Sequence, residues 1–484
     1  MEEARHFIGG AWCAPASGET LAALDPSTGQ PFARLARGNA ADIDAAVRCA
    51  RAAYEGAWGT LSAAERGRLL FALAALVTRD AHTLAQREAQ DTGKPLKQAR
   101  ADAAALARYF EFYAGAADKL HGETLPYQNG YTVLTIREPH GVTGHIVPWN
   151  YPMQIFGRSV GAALAAGNAC VVKPAEDACV SLLHVAALAR EAGLPPGALN
   201  IVTGFGHEAG AALAAHAGID HISFTGSPQT GKLVAQLAAE HHVPVTLELG
   251  GKSPQIVFAD ADFDAALPVL VAAIVQNAGQ TCSAGSRVLI ERSAYAPLLD
   301  RLAGAFEQLR VGPSGADLDC GPLISEKQRR RVRDFLDEAQ RDGIAVAARG
   351  RLDASAPDGG FYEVPTLLRD VPPQSRLAQE EVFGPVLAAM PFDDEAQALA
   401  LANGTPYGLV AGVWTRDGAR QMRMARRVRA GQVFVNNYGA GGGVELPFGG
   451  APSGGARQSG HGREKGFEAL YGFTVLKTIA IRHG

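Results

Sequence analysis

From residue 142 to residue 248, short apolar runs alternate with helical ones, and this alternation limits the fold more than any other feature of the chain. "VTGHIVP", "ACVVKP", "LNIVTG", "HISFTG" and "VPVTLEL" read as strands. "GRSVGAALAAGN", stopped by Gly167 and Asn168, "ACVSLLHVAALAREAG", "HEAGAALAAH" and "PQTGKLVAQLAAE" read as the helices between them. Apolar strands joined by helices form β-α-β units, which build a parallel sheet covered on both faces. Such a sheet takes ligands beyond the carboxyl ends of its strands. A second alternating series runs from about residue 251 to 437, with "PQIVFA", "RVLIE", "LVAGVW" and "QVFVNN" as strands and "EAQALALAN" among the helices. The expectation is an α/β protein with two parallel-sheet domains and a cleft between them.

The first 120 residues are Ala-rich and are expected to be mostly helical, packed on the first sheet. "YTVLTIREP" (Tyr131 to Pro139) and "FTVLKTIAIRH" (Phe473 to His483) alternate as strands do; they can pair and leave an edge for another subunit. The net charge of −4, with both signs dispersed, argues against nucleic acid, which needs a concentrated basic face. The basic run "KQRRRVR" reads as the solvated face of a helix. The N-terminus carries no signal-peptide pattern, and the most apolar segment, Ala265 to Val275, is short of the roughly 20 residues a bilayer span needs. No membrane partner is expected. Six cysteines are scattered without a C-x-x-C pair, which disfavours a metal site or a disulfide framework and fits a cytoplasmic location.

Two glycine motifs join strands to helices. "GFGHEAG" (Gly204 to Gly210) misses the dinucleotide spacing and reads as a tight turn. "FTGSPQTG" (Phe224 to Gly231) is the stronger anion cradle: after Gly226, Ser227 can cap a helix whose N–H groups face outward. "VVKPAED" ends another strand of that sheet, so Lys173 and Glu176 emerge on the ligand side, or else form a surface ion pair. Glu176 can accept from ribose hydroxyls and would repel a 2′-phosphate, which favours NAD over NADP.

Three residues are candidates for chemistry. Glu248, in "LELGGKSP", is a carboxylate closing an apolar strand, where burial raises its pKa toward that of a general base. Asn150, between the prolines of "VPWNYP", is either a turn residue or an amide donor to an oxyanion. Cys282, in "NAGQTCSAG", is either a buried structural thiol or a nucleophile; at an ordinary pKa only roughly a few per cent is thiolate at neutral pH.

Taken together, "PWNYP", "KPAED", "FTGSPQTG", "LELGGKSP", "GQTCSAG", "EEVFGPV" and "PFGG", in this order and nearly end to end, resemble the NAD(P)-dependent aldehyde dehydrogenase superfamily. The resemblance implies that Cys282 attacks the aldehyde and that the Asn150 amide and the Cys282 N–H hold the oxyanion. Glu248 would then activate the water that hydrolyses the thioester. It places Trp149, Lys173, Glu176, Gly226, Ser227, Glu381 and Phe383 along NAD. It implies two Rossmann-like domains and a small β arm, in a homodimer or homotetramer. The corresponding division is 1–120 with 140–250 for the cofactor, 251–448 for catalysis, and 121–139 with 466–484 for the oligomerisation arm. Relatives that pass the acyl group to coenzyme A generally lack the glutamate, so Glu248 favours water as acceptor. The alternatives are a coenzyme A-acylating enzyme and a catalytically silent member with a structural or binding role, which would have lost one of the three reacting residues.

One departure from the family pattern stands out. "PFGGAPSGGARQSG" (Pro447 to Gly460) carries about five extra residues before Ser459. The run "GAGGG" (Gly439 to Gly443) stands where a bulky wall is common, which would admit a larger or aromatic aldehyde. Arg158 is placed either to bind a substrate carboxylate or to form a structural salt bridge, and Thr281 and Ser283 flank the thiol as candidate substrate contacts.

Overall fold

The computed structural model describes residues 2–439, 443–451 and 457–484. The expected strands of the first series are present as β1 (Val142–Val147), β2 (Ala169–Pro174), β3 (Leu199–Ile201), β4 (His221–Thr225) and β5 (Val245–Glu248). They lie parallel in the order β5-β4-β1-β2-β3. Antiparallel strands extend both edges: His6–Ile8 and Ala11–Cys13 beyond β3, and the two-residue strand Gly460–His461 beyond β5.

The helix α1 (Pro152–Ala166) is buried almost throughout. It lies close to the helix Leu96–Ala116 because Gly157 faces Tyr109, where an added Cβ would meet the ring at 2.9 Å. Two further helices, α2 (Val180–Glu191) and α3 (Pro228–Ala239), complete the covering of the sheet. Ser227 caps α3, accepting from Thr230 N–H at 3.2 Å, with Pro228 at the first turn.

The second series forms β6 (Pro254–Val257), β7 (Arg287–Glu291), β8 (Thr366–Leu368), β9 (Val386–Phe392), β10 (Val410–Trp414) and β11 (Gln432–Val435). These are parallel, in the order β8-β9-β7-β6-β10-β11, with the antiparallel strand Val346–Arg349 outside β8. Apolar cores lie on both faces of this sheet, one around Phe335, Met390 and Phe392, the other around Leu298, Phe306 and Trp414.

Tyr131–Pro139 and Thr474–Arg482 pair antiparallel along their full length, with Thr124–Leu125 beside them. The N-terminus differs from expectation. Residues before Ala40 form short strands, Thr20–Asp25 and Gln30–Ala36 among them, and helix begins only at Ala40–Glu55. These strands are edge strands or belong to a small separate sheet, so they lack the apolar alternation that marks a buried strand. "HEAGAALAAH" also differs: a wide turn at Gly206–Gly210 precedes a helix of only Ala211–Ala214. No helix among the described residues is long and apolar enough to cross a membrane.

Candidate active site

Three of the expected residues converge where the carboxyl ends of the first sheet meet the amino ends of the second. Asn150 follows β1, Glu248 ends β5, and Cys282 lies in the loop between helix Phe263–Val275 and β7. That loop is built under strain. Asn277 and Ala278 have φ of +48° and +52°, the left-handed region that non-glycine residues seldom adopt. Gly279 follows at φ +72°, and a Cβ there would collide with the Gly384 carbonyl. Its missing side chain therefore makes room for the backbone at Gly384.

Hydrogen bonds tie this loop to Asn150. The Asn150 amide donates to the Gln280 carbonyl at 3.0 Å, and the Asn150 carbonyl accepts from Asn277 Nδ2 at 2.9 Å. The same carbonyl accepts from Lys94 Nζ at 3.0 Å. Lys94 is buried between Glu88 and Asp102, and its ammonium lies 4.3 Å from the centroid of the Tyr151 ring. Asn150 is thus a fixed amide whose Oδ1 finds no partner among the described residues.

The glycine pair after Glu248 has a steric reason. A Cβ on Gly250 would strike the Glu381 carboxylate, and one on Gly251 the Cys282 carbonyl. Close packing here sets the end of the first sheet against the Cys282 backbone and Glu381. Cys282 packs with Leu409, Val410 and Phe448, and Tyr438 donates to the neighbouring Ser283 carbonyl at 2.7 Å. It keeps part of its surface, yet its surroundings push the thiol up to about 12. Burial is the main cause; Arg158 and Lys465 oppose it, while Glu381 and Glu248 add to it. Thr281 is buried and Ser283 half-buried, with their hydroxyls 3.2 Å apart.

Glu248 is buried, and neither carboxylate oxygen has a hydrogen-bond partner among the described residues. One oxygen packs against Gly449 of "PFGG", where a Cβ would come within 2.7 Å. Burial, reinforced by Glu464, holds the carboxyl well above the usual range. Arg158, read from sequence as a substrate contact or a salt-bridge residue, is ion-paired with Glu464 and donates to Thr225 Oγ1 at 3.2 Å. Glu464 also accepts from Ser223 at 2.9 Å.

Glu464 and Lys465 were not singled out in the sequence. The charge cluster in "GREKG", directly after the glycine-rich stretch, was the available signal. The short strand Gly460–His461 pairs with Leu247 and Glu248 and so delivers these charges beside Glu248. Ser459, at its start, donates to the Gly250 carbonyl at 2.7 Å and accepts from Gly408 N–H at 3.0 Å. The Gly408 carbonyl in turn accepts from Ala451 N–H at 2.9 Å. The extra residues between Ala451 and Arg457, and the middle of the "GAGGG" run, lie outside the described residues.

The cofactor candidates form one rim. Trp149 follows β1, Lys173 and Glu176 lie at the end of β2, and Gly226 and Ser227 follow β4. Lys173 is buried and donates to Glu176 at 2.9 Å. Gly226 N–H donates to the Glu248 carbonyl at 3.0 Å, and a Cβ at Gly226 would collide with the Phe224 ring, so the turn stays bare in front of the α3 N-terminus. From the other domain, Glu381 accepts from Gly251 N–H at 3.0 Å and Phe383 meets Trp149 edge-on at 5.3 Å. Burial pushes Glu381 up to about 7. A bare helix N-terminus for phosphates, half-buried carboxyls for ribose hydroxyls and an aromatic pair at the inner end fit a nicotinamide dinucleotide. The described residues contain no cluster of three or more side chains suited to a metal.

Comparison with known proteins agrees with this geometry. The model of the aldehyde dehydrogenase family matches residues 12–479. The NADP/NAD-dependent aldehyde dehydrogenase PuuC of Escherichia coli is 44% identical over 99% of this chain and 96% of its own length. The hydroxyisobutyraldehyde dehydrogenase of Mycolicibacterium austroafricanum is 42% identical over 98% of this chain and 93% of its own. Among solved structures, the NAD+ complex of a Bacillus cereus aldehyde dehydrogenase is 40% identical, with a TM-score of 0.96 over 100% of this chain and 97% of that one.

Proposed function

The chain belongs to the aldehyde dehydrogenase family and oxidises an aldehyde to the carboxylic acid with NAD, and we propose that Cys282, Glu248 and Asn150 carry the reaction. The observation that supports this assignment is their convergence: a half-buried thiol, a buried carboxyl without hydrogen-bond partners among the described residues and a clamped amide meet at the junction of the two sheets.

In this reading the Cys282 thiol gives its proton to solvent water and the sulfur adds to the carbonyl carbon. The Asn150 amide and the Cys282 N–H hold the resulting oxyanion, whose collapse releases hydride. NAD supplies the hydride acceptor, held by Trp149, Lys173, Glu176, Gly226, Ser227, Glu381 and Phe383. A thioester remains on Cys282. Glu248 takes a proton from the attacking water, the acid departs, and the thiol is restored. An active Glu248 sits poorly with a coenzyme A-acylating role, and all three reacting residues are present, which sits poorly with a silent one.

Replacing Cys282 with alanine is expected to abolish NADH formation while NAD still binds, as followed by fluorescence titration. Turnover retained in that variant would remove Cys282 from the mechanism.

The remaining parts of the reading are proposals of the same kind. Residues 1–120 with 140–250 form the cofactor domain, 251–448 the catalytic domain, and 121–139 with 466–484 the arm. The exposed Val475, Leu476 and Ile481 on the arm support a homodimer or homotetramer. Six unpaired cysteines support a cytoplasmic location.

A further inference from the structure

The turn "TGKP" (Thr92 to Pro95) carries a lysine into the interior behind Asn150. Gly93 ends the helix Ala81–Thr92 at φ +76°, where an added Cβ would strike Pro322 and Pro26, and Pro95 precedes the helix Leu96–Ala116. Lys94, held between them, is fully buried, and so are its partners Glu88 and Asp102, one on each helix. An ammonium has three protons to donate. Here one goes to Glu88 at 3.3 Å, one to Asp102, and one to the Asn150 carbonyl at 3.0 Å. Each carboxylate uses its other oxygen for a neutral donor: Glu88 accepts from the Ser181 hydroxyl at 2.8 Å and Asp102 from the Gln154 amide at 2.6 Å.

This cluster grips "NYPMQ" (Asn150 to Gln154) at three points: the Asn150 carbonyl, the Tyr151 ring, whose centroid lies 4.3 Å from the ammonium, and Gln154 through Asp102. The Asn150 carbonyl also accepts from Asn277 Nδ2 at 2.9 Å. Both of its lone pairs are therefore engaged, and its peptide cannot turn without breaking both bonds. The side-chain amide springs from the same residue, so its direction follows from that grip. An oxyanion donor works only when aimed at the place the oxygen will occupy, and an error of about 1 Å costs roughly a hundredfold in rate. We infer that Lys94 is a positioning residue for the reaction: its ammonium, through the Asn150 carbonyl, aims the Asn150 amide at the developing oxyanion. A cation that only neutralised Glu88 and Asp102 would not need its third bond, and uncharged side chains of similar volume would serve the fold as well. The inference rests on Asn150 being the oxyanion donor of the proposed function.

The test is a double-mutant cycle on kcat, measured in the full-length protein with saturating NAD and the fastest of a panel of aliphatic and aromatic aldehydes. Lys94→Met is combined with Glu88→Gln and Asp102→Asn, because removing the cation alone would leave two buried carboxylates unpaired. With Asn150 in place, this triple variant is expected to lower kcat about ten- to a hundredfold and to change the aldehyde KM by about twofold at most. In an Asn150→Ala background it is expected to lower kcat by about twofold at most, since the group that Lys94 aims is gone. Lys94→Arg, which keeps a cation between the carboxylates but moves its donors, serves in the same comparison if the triple variant does not fold. Equal fractional losses in the two backgrounds overturn the inference and give the cluster a role in the fold alone. An unchanged kcat with Asn150 in place overturns it as well. Both outcomes leave the proposed function standing. Asn150→Ala with the kcat of the unaltered protein removes Asn150 from that function, and the inference with it.

Discussion

Cys282 holds its proton more tightly than an ordinary thiol, so its reactivity in the absence of cofactor has a definite pH dependence. A thiol pushed up to about 12 gains roughly tenfold in thiolate for each pH unit below that value. Alkylation by iodoacetamide is therefore expected to accelerate steadily from pH 7 to 10, and levelling near the ordinary value of about 8.5 would contradict the burial argument. The clamped amide gives a second expectation: Asn150→Ala should lower kcat by about 100- to 1000-fold, the effect of losing one oxyanion donor, with little change in the melting temperature. An equal loss of stability would mean that the residue only holds the turn. At this scale Cys282, Glu248 and Asn150 were legible because each is chemically out of place in its local stretch. Glu464 was not, since its meaning comes from Ser223, 241 positions away, and from Arg158. Lys94 was missed for the same reason: nothing near it in sequence points to Asn150.

The elements that carry the site were read correctly where they are long or buried. The five parallel strands of the first sheet follow from apolar runs between helices, whereas their order was not legible, because right-handed crossovers are compatible with several orders. The N-terminal edge strands were hidden, because two or three residues of extended chain leave no periodic signal. The loop before Cys282 was legible only as small residues; that it holds three consecutive left-handed residues depends on its fit against the strand-β9 approach at Gly384 and Pro385. This fit predicts that Gly279→Ala is damaging in spite of the small change. The added methyl meets backbone that cannot rotate away, and the residue must hold φ near +72°. A loss of about 1–3 kcal/mol in unfolding free energy is expected, with a fall in kcat, measured by denaturant titration and steady-state rates. A neutral outcome would show that the loop relaxes.

For the whole molecule, the paired strands Tyr131–Pro139 and Thr474–Arg482 present an outer edge with Leu476 and Ile481 exposed. Replacing both with aspartate should lower the mass measured by light scattering, since like charges would face one another across a symmetric contact. An unchanged mass would move the subunit interface elsewhere. The lengthened stretch after "PFGG" has a different bearing on the molecule. Both of its ends are tied to one residue, Ala451 to the Gly408 carbonyl and Ser459 to the Gly408 N–H, and Ser459 is also bonded to Gly250. Chain length between two pinned ends adds closure entropy only logarithmically. A change of length between those pins is therefore expected to cost little in closure entropy and to leave the ties of Ala451 and Ser459 to Gly408 in place.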